Sequence, residues 1–126
     1  PRSREDRVAV PNCAFLALPL ATVGLGEAEA REKYSNVLVG SKLVKDIAAM
    51  PRPKIEKDPR GIVKVIVDGD SGLILGASLM HVHADEVINL VALAMRAGVP
   101  AADLRDGIWI HPSATETFNE VLGTLV

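Results

Sequence analysis

Residues 62–80 constrain the fold of this chain more than any other stretch. Ile62-Val63-Lys64-Val65-Ile66-Val67 is β-branched and apolar, Asp68-Gly69-Asp70-Ser71-Gly72 is turn chemistry, and Leu73-Ile74-Leu75-Gly76-Ala77-Ser78-Leu79-Met80 runs back. The pattern predicts an antiparallel hairpin, since Gly and Asp tolerate the backbone angles that tight turns require. Lys64 among apolar neighbours predicts one covered face and one partly wet face. A helix follows at once, from about Ala84 to Ala97. Val87, Ile88, Val91, Ala94 and Met95 recur at helical spacing, Gly98 stands at the C′ position, and Pro100 opens a short further helix.

Weaker elements precede the hairpin. Ala21–Leu25 reads as a strand followed by a bend. Glu27 to about Lys33 reads as a helix with acids first and bases last, which suits the helix dipole. Val37–Val44 reads as a strand broken by Gly40, and Ala49-Met50-Pro51-Arg52-Pro53 as a loop or edge segment. Residues 1–9 are charged and aperiodic, a linker or tail, leaving 10–126 as the domain. Hairpin rather than βαβ spacing predicts an α+β domain: a mainly antiparallel sheet with helices packed on one face.

Composition narrows the function. The 126 residues suffice for one core, built from Val, Leu, Ile and Ala because Trp109, Tyr34, Phe15 and Phe118 are the only aromatics. A net charge of −2 without a basic stripe argues against nucleic acid as partner. No apolar run is long enough to span a bilayer. The single cysteine, Cys13, forms no internal disulfide, reads as a buried small hydrophobe, and fits a reducing, cytoplasmic setting. The chain begins with Pro1, which suggests a piece of a longer protein. No glycine-rich phosphate loop and no nucleophile elbow is present.

Two clusters carry chemistry. In Ile108-Trp109-Ile110-His111-Pro112-Ser113-Ala114-Thr115-Glu116, Pro112 stiffens the backbone at His111, and Ser113-x-x-Glu116 spells a capping box for a last helix to about Leu122. An imidazole on a stiff turn with a carboxylate nearby suits proton transfer, because histidine titrates near operating pH. A surface histidine beside a capped helix has the same sequence. The second cluster is His81-Val82-His83-Ala84-Asp85-Glu86. Two histidines two apart on a strand point the same way and could ligate a metal, yet no third ligand stands at a diagnostic distance, so no metal residue is assigned. A strand-to-helix junction with acids in the first helical turn is the plainer reading.

Taken in order, four landmarks resemble the C-terminal dimerisation domain of the flavin-dependent pyridine nucleotide–disulfide oxidoreductases, the family of glutathione reductase, dihydrolipoamide dehydrogenase and mercuric reductase. They are Ala21-Thr22-Val23-Gly24-Leu25 with Glu27-Ala28-Glu29-Ala30; Arg60-Gly61-Ile62-Val63-Lys64-Val65 with Gly72-Leu73-Ile74-Leu75-Gly76-Ala77; Ala84-Asp85-Glu86-Val87-Ile88; and His111-Pro112-Ser113-Ala114-Thr115-Glu116. The closest-looking members are the mycothiol-reductase-like and reactive-chlorine-response flavoproteins. Departures are the missing Thr in Phe15-Leu16-Ala17-Leu18-Pro19, His81 at a common glycine, and Asp85 at a small residue.

The resemblance implies a homodimer in which each subunit completes its sister's active site. His111 would be the acid–base facing the sister's redox cysteines, Glu116 would hold its ring, and His111 and Pro112 would touch the flavin across the dimer. It implies a cis His111–Pro112 bond, and FAD and NAD(P)H bound by other domains of the parent chain rather than by this fragment. The long helix from Ala84 and the His111 turn are the expected self-association surface. Alone, the fragment is not expected to catalyse. Two other readings compete: an autonomous dimerisation or binding module, and a small metalloprotein using His81 and His83.

Overall fold

The computed structural model describes residues 1–126. Five strands, β1 (Asn12–Ala14), β2 (Leu20–Gly24), β3 (Val37–Leu43), β4 (Ile62–Asp68) and β5 (Ile74–Met80), form one sheet in the order β1-β2-β5-β4-β3. Every pairing is antiparallel, with the β4–β5 hairpin in the middle. The Asp68 carboxylate organises the hairpin turn. It accepts from Asp70 N at 3.1 Å and Ser71 Oγ at 2.6 Å, and the Ser71 hydroxyl chiefly holds it below the usual carboxylate range.

Five helices accompany the sheet: α1 (Glu27–Lys33), α2 (Arg52–Ile55), α3 (Ala84–Ala97), α4 (Ala101–Asp106) and α5 (Thr117–Val121). The helix α3 lies on β2 and β5, α5 lies on β3 and β4 with α4 packed against it, and together they close a core of 23 buried residues that includes Val63, Val65, Leu79, Val91 and Phe118. The expected α+β class holds, with one refinement: α1 covers the opposite face. Ala30 there meets Val37, Ile66 and Leu75, and Glu27 pairs with Lys64, the strand's polar residue.

A register shift explains how both faces are served. The β4–β5 pairing slips between Ile66 and Val67, leaving Leu75 as an extra residue on β5. Beyond it the alternation changes parity, so Ile74 and Ala77 both face the large core while Leu75 faces α1. Gly76 follows because Leu25 runs against it; any side chain there would collide with the Leu25 carbonyl.

Several local expectations need correcting. Gly40 does not break β3, which pairs without interruption from Val37 to Leu43. The residue is glycine because α5 and the C-terminus press on it, and a Cβ would lie 2.6 Å from Val121 O. Residues 52–55 are a helix rather than a loop, Pro53 being harmless in the first turn, where no intrahelical donor is needed. Within residues 1–9, the expected linker or tail, there is local order. Ser3 and Asp6 form a capping box around a short turn, and Ala9 packs against the core. Cys13 is half-buried on the edge strand β1 rather than buried.

Candidate active site

The His111 turn is built from its surroundings inward. Between α4 and α5 the chain runs extended, and neighbours pin it. The Trp109 indole donates to Leu104 O at 3.1 Å, and Asn119 Nδ2 donates to Arg105 O at 2.8 Å and Gly107 O at 2.9 Å. Trp109 thus turns inward against the core. Its neighbours turn outward: Ile108 is 100% and Ile110 80% exposed. On the other side, Thr117, Phe118 and Val121 are fully buried and fix α5. Glu120 ties α5 to the rest of the domain, pairing with Lys42 of β3 and accepting from Ala49 N at 2.9 Å.

Between these anchors the His111–Pro112 peptide is cis, the isomer the resemblance implies. His111 Nδ1 lies 2.8 Å from Glu116 Oε1, and the other carboxylate oxygen accepts from Ser113 N at 2.9 Å. Burial is asymmetric: the Glu116 side chain is 11% exposed, the imidazole 67%. A buried carboxylate thereby fixes the ring through one nitrogen and leaves Nε2 facing outward with no bond within the chain. That arrangement can accept or deliver a proton at a surface, with the ring's tautomer set from below.

The capping box forms by half. Glu116 takes the Ser113 amide as expected, but the Ser113 hydroxyl has no partner, and the helix begins only at Thr117. The carboxylate serves both His111 and the turn, so Glu116 itself sits at the cap. Trp109 and Asn119 are the positioning residues that sequence reading missed. Asparagine inside a helix was the available signal, since its side chain competes for backbone groups.

The second histidine cluster does not converge. β5 ends at Met80, and the chain bends so that His81 is fully buried while His83, in the left-handed region at φ 67, is exposed. His83 Nε2 lies 2.6 Å from Glu56 Oε1, and His83 and then Arg52 hold that carboxylate below its usual range. His81 Nδ1 sits 2.6 Å from Val82 O, and Nε2 has no partner. Burial is the main reason the His81 ring is pushed below its ordinary pKa. The expectation of two rings pointing the same way therefore fails. No group of three or more His, Cys, Asp or Glu in this chain could hold a metal ion.

The helix α3 spends its apolar stripe internally, burying Ala84, Val87, Ile88, Val91, Ala92 and Ala94. Leu93, 55% exposed, is the large apolar residue it offers outward. Ile108 and Ile110, just ahead of His111, are more exposed. No helix is long and apolar enough to cross a membrane.

Comparison with known proteins shows the family and the fold. The family model described as "Pyridine nucleotide-disulphide oxidoreductase, dimerisation domain" matches residues 10–122. The probable pyridine nucleotide-disulfide oxidoreductase RclA of Escherichia coli is 42% identical over 120 residues, covering 95% of this chain and 26% of that protein. Glutathione reductase of Burkholderia cepacia is 34% identical over 110 residues, covering 86% and 24%. The solved structure of the HOCl-induced flavoprotein disulfide reductase RclA from E. coli superposes with a TM-score of 0.90 at 42% identity, over 97% of this chain and 27% of that one. The chain thus spans about a quarter of the length of these relatives.

Proposed function

This chain belongs to the dimerisation-domain family of the pyridine nucleotide-disulphide oxidoreductases, and we infer that it is the dimerisation part of a larger, cytoplasmic disulfide reductase. In that parent the chain pairs with a second copy, and His111 serves as acid–base in the sister's active site. One observation carries the reading: the outward imidazole braced at 2.8 Å by a buried carboxylate. Ile108 and Ile110, exposed on either side of Trp109, supply apolar surface for a sister subunit to cover.

FAD and NAD(P)H, held by other domains of the parent, supply the electron pair that reduces a disulfide. The exposed His111–Pro112 turn is the part of this chain that suits contact with a flavin across the dimer. The work of this chain's residues is proton handling. Nε2 of His111 takes the proton from a thiol as it becomes a nucleophile and returns one to the departing thiolate. A charged imidazole beside a thiolate stabilises it. Glu116 is a positioning residue: it keeps the ring oriented and balances the positive charge while the proton resides there. By itself the domain has no redox centre and turns nothing over.

The test uses the full natural chain. His111→Ala should lower disulfide turnover by about 10²–10⁴-fold while flavin absorbance stays normal. Unaltered turnover in that variant would remove the acid–base role.

A further inference from the structure

We propose that a cleft between the N-terminal segment and the end of α3 binds a phosphoryl anion. Four arginines, Arg31, Arg52, Arg60 and Arg105, each hold a carboxylate at 2.6–2.9 Å. The remaining four, Arg2, Arg4, Arg7 and Arg96, make no ion pair, and all four line one depression. Arg2, Arg7 and Arg96 form its larger lobe, and Arg2, Arg4 and Arg7 the adjoining one.

Sequence proximity explains three of these neighbours but not the fourth. Arg96 arrives from the last turn of α3, and its Nη1 donates to Ala9 O at 3.3 Å, tying the N-terminal segment across the helix end. The segment has its own frame: Ser3 N donates to Asp6 Oδ2 at 2.6 Å and Glu5 N to Ser3 Oγ at 3.2 Å. Asp6 is the acid in the lining, and one oxygen of its carboxylate is already engaged in this cap.

Four guanidinium groups share this lining with one carboxylate, Asp6, so the depression keeps an excess of positive charge that a bound anion would balance. Guanidinium groups offer planar paired donors that suit phosphoryl oxygens better than they suit a monatomic ion. Lysine is absent from the lining, while Val8, Val10 and Pro11 make part of its wall apolar. A nucleic-acid backbone needs a longer basic track, and this chain carries a net charge of −2. A compact phosphoryl group fits instead.

The test is calorimetric titration of the 126-residue chain, which has its own 23-residue core, with inorganic pyrophosphate at constant ionic strength. Binding at roughly millimolar Kd or tighter is expected. Arg7→Gln and Arg4→Gln, at exposed positions outside the buried core, should each weaken it by about tenfold. Arg105→Gln, a paired arginine elsewhere, should leave it unchanged. No detectable binding, equal displacement by chloride, or equal affinity in all three variants would overturn the proposal. A melting curve for each variant separates lost binding from lost fold.

Discussion

His111 Nδ1 rests 2.8 Å from Oε1 of Glu116, and the two residues differ sixfold in exposure, 67% against 11% for their side chains. The carboxylate belongs to the domain and the ring to its surroundings. Since Glu116 also accepts from Ser113 N, its removal frees the ring and strands a backbone donor at once. In the full natural chain, Glu116→Ala should lower disulfide turnover, but by less than His111→Ala, because the imidazole remains. It should also cost about 1–3 kcal/mol of stability. Steady-state rates and denaturant melts of both variants check this. Equal losses of turnover would mean that the carboxylate does more than hold the ring.

Asn119 predicts a separation between placing the histidine and being it. Its two bonds to Arg105 O and Gly107 O pin the segment leading to His111. Asn119→Ala should reduce turnover while leaving the shape of the pH–rate profile intact, since no titrating group is removed. A shifted profile would assign Asn119 a part in the proton transfer itself.

Much of the fold could be read from the sequence because its signals were local. The hairpin, the long helix and its glycine stop each rest on residues within a few positions of one another, and each stands as expected. What escaped depended on partners far along the chain. Gly40 looked like a strand breaker only because the Val121 carbonyl that lies over it is invisible from its neighbours. His81 and His83 were expected to point the same way, but the chain leaves β5 at Met80 and buries one ring while exposing the other. The His111–Glu116 pair was legible because Pro112 and a five-residue separation keep it local; Asn119 and Trp109, which hold it, were not. The arginine cleft was hidden for the same reason, one of its members, Arg96, standing far along the chain from the others.

The buried His81 predicts a pH dependence. Its folded pKa lies below the ordinary value, chiefly through burial, with His83 adding to the effect and Val82 O and Asp85 opposing it. The unfolded chain therefore binds the proton more readily. Stability is full above about pH 6.5 and declines as pH falls below that value toward the folded pKa. Melting temperature should drop as pH falls below about 6.5, and His81→Leu should flatten that slope. An equally steep decline in the variant would place the cause elsewhere. The lowered carboxylates, such as Glu56 and Asp68, act in a more acidic window, below their ordinary values.

Gly76 offers a test of the register shift. A side chain at this position runs into the Leu25 backbone, which is itself held by Leu25 N donating to Leu75 O at 2.9 Å. Gly76→Ala should cost about 1–3 kcal/mol, measured as a lower denaturation midpoint with an unchanged slope. A neutral substitution would mean that the extra residue on β5 is more pliable than its packing implies.

Complementation between defective subunits asks most directly whether His111 acts across the dimer. One full-length variant carries His111→Ala, and the other lacks the redox cysteines of the parent. Alone, the first should keep at most about a hundredth of the wild-type turnover and the second none. Mixed and allowed to exchange subunits, they should regain about a quarter of wild-type activity, because half the dimers are hybrids with one intact composite site each. A mixture that forms hybrids and stays as inactive as its two components would contradict a histidine supplied from the sister chain.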